Sequence, residues 1–221
     1  MAELHFFDEI HTATKRDYLA RVLTGKKTEH SLLARKFGYE YWDGSRDTGY
    51  GGYRYDGRWK AFAQRLASHY QLKSGQRVLD LGCGKGYMVY DLQQAVPGLV
   101  VEGIDISDYA LEHCKAEVAH CLKRGDAAEL TKIEDKSYDL VLAINTLHNL
   151  ELPALWKALA NLERISRKNK YIVVDSYRNV PEMLNLMHWQ LTCECFFSYK
   201  EWEFLFDQTG YQGDWDYVFF S

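Results

Sequence analysis

A glycine-rich turn between a short apolar run and a longer helical pattern constrains the fold of this 221-residue chain most strongly. Residues 78–81 form a mostly apolar run that is too short for a helix and rich in strand-forming side chains. Glycines follow at alternate positions, namely Gly82, Gly84 and Gly86, and helical periodicity begins at Tyr87. A strand, a glycine turn and a helix in this order let the backbone approach a nucleotide-type ligand at the carboxyl edge of a parallel sheet. The sequence therefore predicts an α/β fold with a ligand site at this turn.

A carboxylate at the end of the next apolar run supports this prediction. Residues 99–104 read as a second strand, and Asp105 follows them, about 20 positions after Gly86. An acidic side chain at this distance is where nucleotide-binding sheets hold a ribose diol. The dinucleotide fingerprint G-x-G-x-x-G would need glycine at position 87, where this chain has Tyr87. This departure argues against a nicotinamide-dependent reductase, an alternative that binding of NAD would support.

The segment Asp80-Leu-Gly-Cys-Gly-Lys-Gly86 resembles the first motif of the class I S-adenosylmethionine-dependent methyltransferases. The resemblance continues, in the family's order and spacing, through Gly103-Ile-Asp-Ile-Ser107, Gly125-Asp-Ala127 and the strand-like run 138–145, and covers roughly residues 56–177. It implies a doubly wound, mostly parallel sheet of six to seven strands with a Rossmann-like arrangement. It also implies S-adenosyl-L-methionine as the methyl donor. We expect residues 56–221 to form the donor-binding domain and residues 1–55 to form N-terminal helices and a Tyr/Gly-rich lid.

The resemblance implies that nine residues bind the cofactor: Asp80, Gly82, Gly84, Gly86, Asp105, Ile106, Asp126, Ala127 and Asn145. Asp80 would meet the donor's ammonium group, and Asp105 would bind both ribose hydroxyls. Asp126 would accept a hydrogen bond from the adenine amino group. Ile106 and Ala127 would lie against the adenine faces. The glycines and Asn145 would lie close to the methionine part, and each aspartate has an alternative interpretation as a turn or cap residue.

The segment 37–59 is unusually rich in tyrosine and glycine. This composition excludes a regular helix and favours a loop that folds over a ligand. Arg46, Arg54 and Arg58 could each hold a carboxylate or phosphate by a two-pronged contact. We predict that Tyr53, Arg54 and Arg58 bind substrate. The alternative is an aromatic loop that only packs against a hydrophobic flank.

Methyl transfer from a sulfonium is an in-line displacement, so the enzyme chiefly aligns the two partners and excludes water. His148, three residues after Asn145, is predicted to act as a general base, because an imidazole can take a proton near neutral pH. The alternative is that His148 only packs over the donor. Tyr50 is predicted to orient groups at the reaction centre, and His188 is predicted to bind substrate. The stretch 177–197, which contains His188, either walls a substrate pocket or belongs to the core.

The charge pattern limits the class of acceptor. The formal net charge is −4, and basic residues are scattered, so we expect no nucleic-acid partner. The loop Asn145-Thr-Leu-His148 also lacks the Asp/Asn-Pro-Pro-aromatic motif of enzymes that methylate amino groups of DNA bases. The leading hypothesis is O- or N-methylation of a small polar metabolite or a sugar-like acceptor. The alternative is a non-catalytic protein or partner subunit that binds the adenosyl ligands, and a homodimer is a further expectation.

No apolar run reaches the roughly 18 residues that a membrane span needs, and the N-terminus lacks the basic start of a signal peptide. We therefore expect a cytoplasmic protein without a membrane partner. The five cysteines show no disulfide framework, so free thiols are expected. Cys193-x-Cys195 could suggest a metal, but no second ligand pair stands nearby, and no metal is predicted.

The chain ends are predicted from local signals. Residues 1–36 should form short helices, one starting at Thr14 with Asp17, and should have no strand to pair with. A helix opened by a Ser198–Glu201 capping box should end at Gly210. The last strand should follow it, with residues 192–197 as a candidate for an additional strand.

Overall fold

The computed structural model describes residues 2–12 and 16–221. Six strands form its sheet: β1 Arg77–Leu81, β2 Val100–Asp105, β3 Leu122–Arg124, β4 Tyr138–Ile144, β5 Ser166–Ser176 and β6 Asp214–Phe219. Their order is β3-β2-β1-β4-β5-β6, and all five pairings are parallel. The strand order reverses between β1 and β4, which is where doubly wound sheets open a crevice for ligands.

Ten α-helices accompany the sheet in the described ranges: α1 Asp8–Thr12, α2 Ala20–Leu23, α3 Lys27–Ala34, α4 Tyr39–Trp42, α5 Lys60–His69, α6 Tyr87–Ala95, α7 Asp108–Glu112, α8 Leu152–Ile165, α9 Val180–Trp189 and α10 Tyr199–Thr209. Two short 3-10 helices span Ala116–Cys121 and Leu147–Asn149. Helices α5, α6 and α9 contribute to one hydrophobic cluster, and α8 and α10 contribute to the other. The predicted doubly wound α/β architecture is therefore confirmed.

The central strand β4 shows why the sequence folds in this way. Leu140 and Leu142 belong to the cluster with α5 and α6, whereas Val141 and Ala143 belong to the cluster with α8 and α10. All four side chains are fully buried. A parallel strand covered by helices on both faces needs a continuous apolar run rather than an alternating one. This requirement explains the composition of residues 138–144.

Residues 2–7 lie beside β6 and form a short parallel bridge between Glu3 and Trp215. The Asp216 carboxylate, 1% exposed, accepts hydrogen bonds from three backbone amides of this segment at 2.5–2.9 Å. It also accepts one from the Tyr171 hydroxyl at 2.5 Å. The prediction that the N-terminal residues have no strand to pair with is therefore wrong, because a buried carboxylate on the last strand anchors them.

Other boundaries differ from the predictions in instructive ways. The capping box on Ser198 and Glu201 is confirmed, as is the left-handed Gly210 that ends α10. Residues 192–197 form no strand, so the sheet ends at β6. The stretch 177–197, irregular in sequence, contains helix α9. The helix start predicted at Thr14 lies outside the described residues.

Two further findings concern the described ranges. None of their helices is long and apolar enough to cross a membrane. All five cysteines are unpaired, and no group of three or more histidine, cysteine or acidic side chains in these ranges could hold a metal ion.

Candidate active site

Two cavities meet at the carboxyl edge of the sheet. The first, here called the glycine-loop cavity, has a volume of about 240 Å³ and lies at the ends of β1, β2 and β4. Eight of the nine predicted cofactor residues line it: Asp80, Gly82, Gly84, Asp105, Ile106, Asp126, Ala127 and Asn145. The ninth, Gly86, does not line it. This cavity lies at the crevice where the strand order reverses.

Glycines shape this cavity because side chains would not fit. A Cβ atom on Gly82 would lie 2.0 Å from the Thr146 hydroxyl oxygen, and one on Gly84 would lie 2.7 Å from the Trp42 ring. Both residues have positive φ. Gly86 serves a different purpose, since a Cβ there would meet Leu122 and other apolar side chains beneath the loop. Its predicted cofactor contact is replaced by close helix–sheet packing.

Asp105 is 7% exposed, and its side chain organises the glycine loop. One carboxylate oxygen accepts the Gly84 amide at 2.7 Å, and the other accepts the Ser107 amide at 2.8 Å. Burial raises the pKa of Asp105, and these backbone hydrogen bonds oppose that rise. Each oxygen keeps a second lone pair, so the carboxylate can still accept from ligand hydroxyls.

Asp80 differs from Asp105 in having no hydrogen-bond partner in the described part of the chain. It is 3% exposed, and it lines the cavity. Burial, reinforced by the charge of Asp105, raises the pKa of Asp80 to about 7. A buried carboxylate without a partner is unfavourable, and a cationic ligand group beside it would remove that penalty.

Three further residues favour a ligand in this cavity. Asn145 has positive φ, and its side-chain oxygen is buried without a hydrogen-bond partner among the described residues. The Asp126 carboxylate accepts the Ala128 amide at 2.8 Å through one oxygen. The Ile106 side chain is half exposed at the cavity. The donors and acceptors therefore fit a ligand with a cationic end, a diol and a flat apolar group.

The segment 37–59 contacts the glycine turn, and the prediction that it contains no regular helix is wrong, because Tyr39–Trp42 form the one-turn helix α4. The Trp42 indole donates to the Ser107 hydroxyl at 3.0 Å. The Lys85 ammonium, from the glycine turn itself, contacts both oxygens of Asp43 at 2.7 Å. These contacts tie the aromatic loop to the residues that line the glycine-loop cavity.

The second cavity, here called the arginine cavity, has a volume of about 470 Å³. Five residues line both cavities: Tyr41, Tyr50, Tyr53, Trp59 and Asn145. Among the predicted substrate residues, Tyr53 and Arg58 line the arginine cavity. The predictions for Arg54 and His188 need correction, because Arg54 is exposed to solvent and neither side chain lines either cavity. Arg54 points away because its neighbours Tyr53 and Tyr55 contact Tyr87.

His148 lines the arginine cavity but is only 2% exposed. Its Nδ1 accepts the Asp175 backbone amide at 3.1 Å, so the proton resides on Nε2, which lies 3.4 Å from the Asp175 carboxylate. Burial lowers the pKa of His148, and Asp175 partly offsets this effect. Both ring nitrogens are therefore engaged by Asp175. This geometry argues against the predicted general base and favours the packing alternative.

Tyr50 lies where the two cavities meet. Its ring stacks on Trp42 with a centroid distance of 5.5 Å and contacts the Tyr41 ring edge-on with a centroid distance of 5.2 Å. Burial raises the pKa of both tyrosines, so their hydroxyls stay protonated at neutral pH. Tyr50 can therefore donate a hydrogen bond at the junction, and its catalytic role stays a prediction.

Several cavity residues were not predicted from the sequence. Arg21 comes from the four-residue helix α2, whose local pattern gives no functional signal. Trp189 ends α9, in the stretch 177–197 that was predicted either to wall a substrate pocket or to belong to the core, and it lines the arginine cavity. Asp175 could have been found, because it lies near the carboxyl end of β5, at the same sheet edge as Asp105. His11, whose Nε2 lies 2.6 Å from the Phe219 carbonyl oxygen, gave no sequence signal.

Comparisons with known proteins agree with this geometry. A family model described as a methyltransferase domain matches residues 72–219. The chain is 31% identical over 129 residues to the 27-O-demethylrifamycin SV methyltransferase of Amycolatopsis mediterranei (strain S699), covering 55% of this chain and 46% of that protein. The chain thus spans about half the length of this curated relative.

Solved structures share the fold at lower identity. A SAM-dependent methyltransferase from Archaeoglobus fulgidus gives a TM-score of 0.55 at 22% identity, covering 67% of this chain and 66% of that chain. A chain in the complex of the Haloferax volcanii Trm112 methyltransferase activator with a methyltransferase also gives 0.55 at 22% identity, covering 83% and 76%. The family match, together with the glycine turn and its carboxylates, shows that the chain belongs to the class I S-adenosylmethionine-dependent methyltransferases.

Proposed function

We propose that this protein transfers a methyl group from S-adenosylmethionine to oxygen or nitrogen of a small polar or sugar-like acceptor. The observation that carries the proposal is the junction of two cavities at Asn145 and Tyr50. One cavity carries the family's donor-binding residues, and the other is large enough for a small acceptor. Residues 1–55 would act as a lid over a donor-binding domain formed by residues 56–221.

The donor-binding roles follow from the contacts of each residue. The unpartnered Asp80 carboxylate would pair with the ammonium group, and Asp105 would accept from the two ribose hydroxyls through its remaining lone pairs. The second oxygen of Asp126 would accept from the adenine amino group. The half-exposed Ile106 would cover one adenine face. Asn145, with its unpartnered oxygen, would complete the methionine end.

When bound, the sulfonium donor would supply an electrophilic methyl group and leave as S-adenosylhomocysteine. The proton of the acceptor's hydroxyl or amino group would pass to solvent. The protein then has to align the acceptor and exclude water, and alignment alone can contribute about 7–11 kcal/mol. The aromatic side chains of Tyr41, Tyr50 and Tyr53 would exclude water at the junction. The Tyr50 hydroxyl would orient the acceptor by donating a hydrogen bond. His148 would position Asp175 rather than remove a proton.

The acceptor class rests on cavity size and on the relative's name. The arginine cavity has a volume of about 470 Å³, which suits a small molecule. The Amycolatopsis relative is named for 27-O-demethylrifamycin SV, which supports O-methylation of a small molecule. A non-catalytic binder remains the competing function, and the experiment below separates the two.

The test compares Asp105→Ala with Asp108→Ala by calorimetric titration of S-adenosylhomocysteine. Asp108 is three positions further on, exposed, and paired with Arg124, so it is a matched control. Loss of two charge-assisted hydrogen bonds at about 1.5–3 kcal/mol each predicts at least a 100-fold weaker affinity for Asp105→Ala. We expect less than a twofold change for Asp108→Ala.

Two controls complete this design. Asp105→Asn retains one acceptor for the loop amides, and thermal unfolding of each variant checks that the fold survives. Wild-type protein is then incubated with isotope-labelled donor and cell extract, and mass spectrometry identifies any molecule that gains a methyl group. No heat with either adenosyl ligand would exclude the proposed function. Tight binding without any methylated product would favour the non-catalytic alternative.

A further inference from the structure

Three guanidinium groups surround one indole ring in the arginine cavity. The Cζ atoms of Arg16, Arg21 and Arg46 lie 5.6, 4.4 and 5.3 Å from the centroid of Trp189. All four residues line the cavity. Positive charges placed side by side repel each other unless an anion or a π face lies between them. The Trp189 ring offsets this repulsion only in part.

The Arg21 side chain binds backbone carbonyl groups in the wall of the cavity. It is 8% exposed, and it donates to the carbonyl oxygens of Trp189 at 2.6 Å and Arg46 at 2.9 Å. Burial, together with the nearby charge of Arg46, lowers the pKa of Arg21 to about 10, so the side chain stays charged at neutral pH. In the described part of the chain it forms no ion pair with a carboxylate.

The Arg46 guanidinium is held by backbone carbonyl groups, and no described carboxylate balances its charge. Its Nη1 donates to the carbonyl oxygens of Gly49 and Tyr50 at 3.3 and 3.2 Å. Its Nε and Nη2 donate to no described residue, and no described carboxylate forms an ion pair with it. These two donors form one edge of the guanidinium, and Arg58 uses the same edge to bind both oxygens of Asp56. The corresponding edge of Arg46 is therefore free for a planar, two-oxygen anion.

The acidic side chains near the cluster do not supply that anion, because neither Asp47 nor Asp175 forms an ion pair with Arg46 in the described part of the chain. Asp175 lines the cavity but is 3% exposed, and it is bound by the side chains of His148 and Gln190. The rest of the wall is mixed. Polar side chains such as His11, Gln190 and Thr192 stand beside an apolar and aromatic group that consists of Phe7, Ile10, Trp59, Val218 and Phe220. A ligand for this wall combines one anionic end with an apolar or aromatic body.

The position of the arginines separates the anion from the reacting atom. Arg21, Arg46 and Trp189 line only the arginine cavity, whereas Tyr50 and Asn145 line both cavities. An anion held at Arg46 leaves the opposite end of the molecule to approach the junction. The carboxylate would therefore orient the acceptor rather than receive the methyl group.

We propose that the acceptor is a small organic acid with an aromatic or alicyclic body, whose carboxylate binds the free edge of Arg46 beside Arg21 and Trp189 while a separate oxygen or nitrogen is methylated. This inference rests on the proposed function, since it names the substrate class of the same site. The inference narrows the proposed acceptor class from small polar or sugar-like molecules to small organic acids. It also makes Arg46 the residue that distinguishes the acid from its neutral analogues.

The test uses 4-hydroxybenzoate and its neutral analogue 4-hydroxybenzamide as probes. Their affinities are measured by calorimetry or by quenching of tryptophan fluorescence, with S-adenosylhomocysteine present and absent. We expect the acid to bind the wild-type protein at least about tenfold more tightly than the amide, because a charge-assisted two-pronged contact is lost in the amide. Arg46→Gln should reduce this ratio to about twofold or less.

Arg54→Gln is the matched control, because it makes the same change in the same loop at a side chain outside both cavities. It should retain the preference for the acid. Equal affinities for acid and amide in the wild type, a preference that survives Arg46→Gln, or no measurable binding of the acid would each overturn the proposal. So would a methyl ester among the products when the acid is incubated with S-adenosylmethionine.

These outcomes are separable from failure of the proposed function. The titration of S-adenosylhomocysteine alone reports on the donor site, to which Arg46 does not contribute. A protein that binds the adenosyl ligand but shows no preference for the acid refutes only the acidic acceptor. A protein that prefers the acid but binds no adenosyl ligand refutes the methyltransferase assignment and leaves the anion site standing.

Discussion

Asp80 should destabilise the free protein at neutral and alkaline pH, and Asp80→Asn should therefore stabilise it. The carboxylate is buried beside Asp105 without a hydrogen-bond partner in the described chain, and its pKa is raised to about 7. Because the folded pKa exceeds the unfolded value of about 3.9, the folded state binds more protons between pH 4 and pH 7. The free energy of unfolding therefore falls as the pH rises through this window.

The magnitude follows from the size of that shift. Three pKa units at about 1.4 kcal/mol each correspond to about 4 kcal/mol when Asp80 is fully ionised at pH 8. At pH 5 most of this penalty is absent, and about 1.5 kcal/mol remains. The amide of Asp80→Asn carries no charge but leaves a buried polar group unpaired, at about 1–3 kcal/mol independent of pH. The stabilisation by the variant should therefore be about 2–3 kcal/mol larger at pH 8 than at pH 5.

Urea unfolding of the ligand-free proteins at pH 5 and pH 8 measures this difference directly. Asp207→Asn, at an exposed position of α10, is the control and should follow the wild type at both pH values. Asp80→Asn should also weaken binding of S-adenosylhomocysteine by about 10- to 100-fold, because it removes the partner of the ammonium group. The reasoning would be refuted if the free energy of unfolding of Asp80→Asn changed between pH 5 and pH 8 by the same amount as that of the wild type.

Two further substitutions test the anchoring of the N-terminal segment and the shape of the glycine loop. Asp216→Asn replaces a carboxylate that accepts four hydrogen bonds by an amide that also donates. Hydrogen exchange should therefore accelerate at the amides of residues 2–12. The affinity for S-adenosylhomocysteine should stay within about threefold of the wild-type value. Unchanged protection of these amides would contradict the anchoring role. Gly82→Ala should destabilise the fold by at least about 2 kcal/mol in thermal unfolding, because the new methyl group would lie 2.0 Å from the Thr146 hydroxyl oxygen. Adding Thr146→Ala should restore part of the loss, and no recovery would point to backbone strain alone.

The parts of the fold that were predictable depend on local signals. The glycine turn, the carboxylate at the end of β2 and the capping box at Ser198 each need only a few neighbouring residues to be recognised. His148 shows the limit of this approach. Its protonation state is set by the backbone amide of Asp175, which is 27 positions away in sequence. A motif can place an imidazole at a sheet edge, but it cannot show which ring nitrogen keeps a free lone pair.

The same distinction separates what family membership explains from what it leaves open. The family match begins at residue 72 and includes every predicted cofactor residue. More than half of the residues that line the arginine cavity precede it, among them Arg21, Arg46 and Tyr50. Two sets of contacts hold this N-terminal segment against residues 72–219, which the family model matches. They are the hydrogen bonds to Asp216 and the ion pair between Lys85 and Asp43. Acceptor choice therefore depends on a segment that the family pattern does not describe. Arg46→Gln, at a residue that lines only the arginine cavity, should alter acceptor preference while donor binding is retained.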